Sequence, residues 1–170
     1  KPGKINTEKT LKLAYERGKA LGIKEVTVAS SKGDTAKKAL EIFEGFKVVV
    51  VTYHCGFTEP FKVVMPDSAR KCLEDNGAVV VSATHALSGI ERSIAKKFGG
   101  LYPALLIAET LRLFGQGVKV AVEISIMATD AGALSGEDII AVGGTNKGAD
   151  SALVLKPASQ SDLFNMQIRE

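Results

Sequence analysis

The segment at 47–52, Lys-Val-Val-Val-Val-Thr, most constrains the fold of this chain, because an unbroken run of β-branched residues follows its first lysine. Successive side chains of a strand point to opposite faces of a sheet, so this run is apolar on both faces. Strands of this kind occur in parallel sheets whose two faces are both covered by helices. The run therefore predicts a helix-covered sheet with residues 47–52 near its centre.

Other short apolar runs predict the remaining strands, and they lie at residues 26–29, 78–82, 118–126, 138–142 and 151–155. The run at 78–82 has the composition of a second strand buried on both faces. The last two runs are too close in sequence for a helical crossover, which needs about a dozen residues, so we expect them to pair antiparallel. Residues 61–64 are a candidate short strand, and the tail at 162–168 is a candidate edge element.

Helical spacing of apolar residues separates most of these runs. The predicted helices start at Asn6 or Thr7 and end before Gly22, and then span residues 36–43, 66–76, 88–98 and 103–113. The helix at 103–113 is apolar almost all round, so we expect it to be buried. Strands that alternate with helices predict one domain, residues 1–170, with a three-layer α/β/α sandwich and a mixed, mostly parallel sheet.

Composition narrows the function classes. The chain has 170 residues, 45% of them hydrophobic, and 22 Lys plus Arg against 19 Asp plus Glu. A net charge of +3 without clustering, and no Trp, argue against nucleic-acid binding. Only two cysteines, Cys55 and Cys72, fit a reducing compartment, and there is neither a membrane-length apolar run nor a leader. We therefore expect a cytoplasmic protein with no membrane or nucleic-acid partner.

Small polar residues and both histidines follow the predicted strands. In open α/β sheets, ligands bind beyond the carboxyl ends of the strands, where loops and helix N-termini converge. The polar residues are also explained by the simple fact that strand ends meet water. Charged residues would serve that purpose equally well, and their scarcity here favours a ligand site at this rim.

Residues 30–35, Ser-Ser-Lys-Gly-Asp-Thr, link a predicted strand to a predicted helix and suit a phosphate group. Hydroxyls, backbone N–H groups, Lys32 and the positive end of the helix would all favour an anion there. The segment matches neither the P-loop nor the three-glycine dinucleotide pattern. The alternative is an ordinary helix cap formed by Ser31 or Asp34.

A second glycine-rich segment follows the strand predicted at 138–142 and contains Gly143, Gly144, Thr145, Asn146 and Lys147. It is either a plain connection between strands or a loop that offers N–H groups and Lys147 to an anion. His54, Cys55 and His85 lack the spacing of a zinc site, so we expect no metal. A nucleophilic cysteine is conceivable, but a packed Cys and hydrogen-bonding histidines fit better.

The order of these motifs resembles the C-terminal, allosteric domain of pyruvate kinase. The resemblance is carried by residues 28–36 and 50–52, and by the glycine-rich segment at 143–150 before the last strand. The phrases Val-Ser-Ala-Thr-His-Ala at 81–86 and Ala-Thr-Asp-Ala-Gly at 128–132 are similar to those of stand-alone archaeal pyruvate kinase C-terminal domain-like proteins. This resemblance implies a five-stranded mixed sheet with the last strand antiparallel, and bound flavin mononucleotide (FMN).

The first hypothesis is therefore a small-molecule binding protein that holds a phosphorylated ligand, with FMN as the expected cofactor. The alternatives are a flavin-dependent oxidoreductase with His54 or His85 as proton donor, and a sensor of a sugar phosphate or nucleotide without a redox role. The oligomeric state stays open. The predicted binding residues are Ser30, Ser31, Lys32, Gly33, Asp34, Thr35, His54, Thr84, His85, Met127, Ala128, Thr129, Gly143, Gly144, Thr145, Asn146 and Lys147.

Overall fold

The structure is a computed structural model that describes residues 3–170. Helices and strands alternate through the first half of the chain, and three helices in succession then precede the last strands. In chain order the elements are α1 (Thr7–Ala20), β1 (Glu25–Ala29), α2 (Asp34–Ile42), β2 (Lys47–Thr52), α3 (Asp67–Asp75), β3 (Val79–Ser82), α4 (Gly89–Phe98), α5 (Pro103–Arg112), α6 (Gln116–Asp130), β4 (Ile139–Gly143), β5 (Ser151–Lys156) and β6 (Gln167–Ile168).

The strands form one six-stranded sheet in the order β3-β2-β1-β4-β5-β6. The first four strands in this order are parallel, and Val28 of β1 is paired with Val50 of β2 and Val142 of β4. β5 is antiparallel to β4, as the short connection predicted, and β6 is antiparallel to β5. The predicted fold class is confirmed. The sheet has one strand more than the expected five because the tail adds β6.

Helices cover both faces of the sheet, because each face carries its own row of apolar side chains. On one face, Leu11 of α1, Ala39 of α2 and Leu73 of α3 pack against the even-numbered valines of β1 and β2. On the other face, Ile124 and Met127 of α6 pack against Val49 and Val51 of β2. α5 packs outside α6 through Ala108. The three-layer arrangement follows from these two cores.

The strand predicted at residues 118–126 is wrong, because this stretch lies inside α6. The run has nine residues, whereas strands are usually five or six long, and it contains no Gly or Pro that would end a helix. Its apparent alternation arises because α6 is buried on nearly every side, so that apolar residues occur at all helical positions. A helix that is buried on all sides has no polar face, so its sequence lacks the hydrophobic period of 3.6 residues that identifies an amphipathic helix.

Three smaller predictions also fail. The strand at 78–82 is an edge strand rather than one buried on both faces, and its Val79 is 39% exposed. The helix at 103–113 exists, but Ala108 is its one buried residue, and Leu106 and Leu113 are exposed. Residues 61–64 form no strand. Apolar composition suggested that the strand and the helix are buried. Both lie at the periphery of the domain, so part of each is exposed.

Within residues 3–170, every helix is too short or too polar to cross a bilayer.

Candidate functional site

The sheet changes its winding direction between β1 and β4. The chain proceeds from β1 to β2 and β3 on one side, and then returns to β4 on the other side of β1. The loops that leave β1 and β4 at their carboxyl ends therefore diverge and open a crevice, which is where ligands bind in open α/β sheets. A cavity of about 530 Å³ lies at this place. Its volume is within the usual range of small-molecule sites.

The loop from β1 to α2 forms one wall of the cavity. Gly33 has a φ of 100°, a left-handed conformation that allows the chain to turn directly into α2. The Ser30 hydroxyl accepts a hydrogen bond from the Ala36 N–H at 3.3 Å, and the Thr52 hydroxyl donates to the Ser31 carbonyl at 3.2 Å. The loop is thus fixed at both ends, with the positive N-terminus of α2 at the cavity.

Four lysines line the same part of the cavity: Lys4, Lys32, Lys38 and Lys147. They come from a short 3₁₀ helix (Lys4–Asn6) before α1, the β1–α2 loop, α2 itself and the β4–β5 loop. Asp34 is the acidic side chain among these cavity residues at this end. The charge of the lysines and the dipole of α2 together make this end of the cavity favourable for an anion.

Asp150 holds the β4–β5 loop against the N-terminal segment. Its Oδ2 accepts hydrogen bonds from the backbone N–H groups of Gly3 and Thr145, both at 3.0 Å. The Thr7 hydroxyl accepts a further bond from the Ala149 N–H at 3.0 Å. These bonds place the segments that carry Lys4 and Lys147 on the same wall of the cavity.

Aromatic rings form the opposite end of the cavity, over β2 and β3. Tyr53 and His85 line the cavity, and Phe57 stacks on both, with ring centroids 4.2 Å and 4.6 Å apart. His54 meets His85 edge-on at 5.4 Å. The guanidinium of Arg92 lies 5.5 Å from the centre of the Phe57 ring. These contacts hold the His85 ring in one orientation.

A buried ion pair lies beside this ring cluster. Lys119 and Glu123 are four residues apart on α6, and their side chains are 7% and 4% exposed. The Glu123 carboxylate also accepts a hydrogen bond from the Leu87 N–H at 3.1 Å, which ties α6 to the loop after β3. Burial lowers the pKa of the Lys119 ammonium, and Glu123 opposes that shift.

Burial lowers the pKa of His85 to about 4, although the charge of Glu123 acts in the opposite direction. The imidazole is therefore neutral at neutral pH, with one nitrogen that donates and one that accepts. Its Nδ1 is buried and has no hydrogen-bond partner within residues 3–170. A buried polar atom of this kind is costly unless a further group satisfies it.

Ten of the seventeen predicted residues line the cavity: Ser30, Ser31, Lys32, Asp34, Thr35, His85, Met127, Gly144, Asn146 and Lys147. The other seven do not line it, namely Gly33, His54, Thr84, Ala128, Thr129, Gly143 and Thr145. Gly33 and Thr145 belong to the two loops and shape them from behind, and His54 supports His85. Thr84 is exposed.

Residues 127–129 were expected in a loop that follows a strand, and they lie instead in the last turns of α6. Met127 still lines the cavity because it is on the face of α6 directed to β2. Ala128 is completely buried, and the Thr129 hydroxyl donates to the Ser125 carbonyl at 2.8 Å. Both are therefore engaged within the fold rather than at the cavity.

The main omission from the predicted set is the face of α6. Gln116, Val120, Glu123 and Ile124 line the cavity together with Met127. Their spacing of three, four and seven residues is the signature of one helical face, which a strand assignment conceals. Lys4, Thr7, Lys38 and Tyr53 also line the cavity. Lys4 and Thr7 are distant in sequence from the loops that they join, so no local motif indicates them.

Comparison with solved structures shows a low-level likeness to "Cryptosporidium parvum pyruvate kinase in complex with ADP". The TM-score is 0.40 and the sequence identity 16%, over 95% of this chain and 23% of the pyruvate kinase chain. The protein described here thus corresponds in length to less than a quarter of that enzyme. A family model, "Pyruvate kinase, alpha/beta domain", matches residues 8–155. This match covers all the strands except β6 and most of the cavity, and the chain accordingly belongs to the pyruvate kinase alpha/beta domain family.

Proposed function

We propose that this protein binds a phosphorylated small molecule in the cavity between β1 and β4, and that the ligand is FMN. The observation that carries the proposal is the convergence of Lys4, Lys32, Lys38 and Lys147 with the N-terminus of α2 in one crevice. The four side chains are exposed, and together with the dipole of α2 they form a positive surface that attracts an anion. A phosphate group has the charge and the acceptor oxygens that such a site favours.

The rest of the cavity supports a ring system at a distance from the phosphate. The lysine loops follow β1 and β4, whereas His85 follows β3, three strand intervals from β4. At about 4.8 Å per interval, the two ends are about 14 Å apart across the sheet. Val120, Ile124 and Met127 supply an apolar wall between them. An elongated ligand with a phosphate at one end and a planar ring at the other suits this shape.

The residues at the ring end fit the flavin assignment through hydrogen bonding. His85 and Glu123 both line this end of the cavity. A flavin ring carries N–H and carbonyl groups that pair with such side chains. When bound, a flavin supplies hydride and electron transfer. The chain itself would hold the phosphate, orient the ring and exclude water from one of its faces.

The first experiment is the visible absorption spectrum of the purified protein, followed by fluorescence titration with FMN and with riboflavin. Riboflavin has the same ring without the phosphate. We expect FMN to bind saturably and riboflavin to bind at least tenfold more weakly. Failure of FMN to bind would overturn the flavin assignment, and stabilisation by a sugar phosphate in that case would favour the sensor hypothesis.

Matched lysine variants test the location of the phosphate. Lys32→Ala and Lys147→Ala remove charge at the cavity. Lys24→Ala removes an exposed lysine just before β1, at the amino ends of the strands and thus away from the cavity. We expect each cavity variant to weaken FMN binding about tenfold, the typical effect of one charged hydrogen bond. Lys24→Ala should leave the affinity unchanged. Equal effects of all three variants would show that the phosphate does not bind at this site.

The histidine evidence favours a binding role over proton donation. A His85 with a pKa of about 4 carries almost no imidazolium at neutral pH, so it is poorly suited to act as a general acid there. Reduction of a bound flavin by hydride donors would be the observation that favours the oxidoreductase alternative.

A further inference from the structure

The ring end of the cavity differs chemically from the phosphate end. It presents a carboxylate, from Glu123, and a neutral imidazole, from His85, whereas lysines surround the other end. Glu123 is paired with Lys119, so the residues that line this end carry no net positive charge, unlike the four lysines at the other end. The two ends therefore impose a direction on an elongated ligand, with its anionic group towards the lysines.

Glu123 is held rigidly. One oxygen of its carboxylate accepts from the Leu87 N–H at 3.1 Å, and the other accepts from the Lys119 ammonium. Each carboxylate oxygen has two lone pairs, so capacity for a further hydrogen bond remains on both. The residue is 3% exposed, yet it contributes to the wall of the cavity. A fixed, desolvated acceptor of this kind discriminates strongly between ligands that have a donor and ligands that lack one.

His85 is the polar side chain that lies beside Glu123 at this end of the cavity. Its Nδ1 is buried and unpartnered within residues 3–170, and the rings of Tyr53, Phe57 and His54 prevent it from turning away. Protein groups thus satisfy Glu123 in part and leave His85 Nδ1 unsatisfied. The Nδ1 atom is shielded from the cavity, so Glu123 is the side chain at this end that offers an acceptor to a donor on the ligand.

We propose that Glu123 is the residue that selects the ligand's ring, by accepting a hydrogen bond from an N–H group at the ring edge remote from the phosphate. This inference rests on the proposed function. For FMN, the N–H in question is the imide N3–H of the ring. The neighbouring imide carbonyls are the acceptors available to a donor on His85.

The test compares FMN with 3-methyl-FMN, which has the same phosphate and ring but no imide N–H. Both are titrated against the wild-type protein, with fluorescence as the readout. We expect FMN to bind roughly tenfold to hundredfold more tightly, the range for a hydrogen bond to a charged group. Binding of neither flavin would overturn the proposed function together with this inference. Equal binding of the two would overturn the inference alone.

A double variant separates the hydrogen bond from a steric effect of the methyl group. Lys119→Met with Glu123→Leu removes both charges together, so that neither is left buried without its partner, and keeps similar volumes. We expect the preference for FMN over 3-methyl-FMN to fall to about twofold or less. If this variant folds and keeps the full preference, Glu123 does not select the ring. Circular dichroism verifies folding, and the wild-type comparison stands without the variant.

Lys32→Ala is the matched control at the other end of the cavity. It should weaken the binding of FMN and of 3-methyl-FMN by the same factor, because both carry the same phosphate. The ratio of the two affinities should therefore stay unchanged. A change in the ratio would show that the two ends do not act separately, which contradicts the assignment of ring selection to Glu123.

Discussion

Gly143, the last residue of β4, lies in direct backbone contact with Gly117 in the first turn of α6. A Cβ atom on Gly143 would overlap the Gly117 carbonyl oxygen and would lie 2.8 Å from the Ala121 amide nitrogen. The contact brings α6 down onto the sheet at the edge of the cavity, which allows Gln116, Val120 and Glu123 to line it. Gly143 was predicted as a ligand-binding residue, and this close packing is the role that the structure indicates.

Gly143→Ala should therefore destabilise the protein by about 1–3 kcal/mol, since the added methyl group forces α6 away from β4. Urea unfolding measures the change. Gly143 has no left-handed φ, so a loss of stability in this variant reports the clash and not backbone strain. If Gly143→Ala were as stable as the wild type, the contact between α6 and β4 would not be tight.

Gly33 and Gly22 share a left-handed conformation, with φ of 100° and 71°, but only Gly33 shapes the cavity loop. Alanine at either position should cost about 1–2 kcal/mol of stability. Gly33→Ala should also weaken FMN binding, because relief of the strain moves Ser31 and Lys32. Gly22→Ala should not. Fluorescence titration of the two variants distinguishes a loss of stability from a loss of the site, and equal affinities would argue against a phosphate at this loop.

Thr27 has a buried hydroxyl without a hydrogen-bond partner within residues 3–170, although it lies in the middle of β1. Thr27→Val keeps the shape and removes the unsatisfied group, so the free energy of unfolding should stay constant or rise by up to about 1 kcal/mol. Thr52→Val is the contrasting case, since the buried Thr52 hydroxyl donates to the Ser31 carbonyl. That variant should lose about 1 kcal/mol. Thermal unfolding of both variants would measure the difference, and equal losses would indicate that Thr27 has a partner in solution.

His85 should make stability depend on pH above the range in which carboxylates titrate. Its pKa is about 4 in the folded protein, against the 6.5 of an unperturbed histidine, so the unfolded chain binds more protons between these values. The free energy of unfolding should therefore fall by about 1 kcal/mol as the pH is lowered from 7 to 5. The ring is partly exposed to solvent, so this loss is smaller than the full pKa difference would give. Urea titrations at several pH values measure this slope.

His85→Gln should flatten that slope, because the variant lacks the imidazole whose pKa burial lowers. An unchanged slope in His85→Gln would assign the pH dependence to another group.

Local sequence patterns predicted much of the fold. The valine run of β2 and the short connection before β5 determine a mostly parallel sheet with an antiparallel end. Residues 30–35 were identified as a strand–loop–helix unit because Gly33 and the polar residues around it are local signals. Such features depend on neighbours in the chain, and a sequence contains that information directly.

α6 is where local patterns failed. Its residues 117, 119 and 121–128 are buried, so no polar face reveals the helix. Glu123 was consequently placed in a strand, and its ion pair with Lys119 and its position at the cavity were missed. The burial of α6 depends on α5 and on the sheet, which lie elsewhere in the sequence.

The sequence by itself determined that this chain forms a helix-covered α/β sheet with two polar, glycine-containing loops at the carboxyl ends of its strands. Only the tertiary structure decided which residues surround the cavity. Lys4, Lys147, Glu123 and His85 line one cavity because the strand order places β1 beside β4 and α6 packs across the sheet. Hydrophobic periodicity reports on residues that are close together in the sequence. A binding site is formed by contacts between distant segments that the topology brings together.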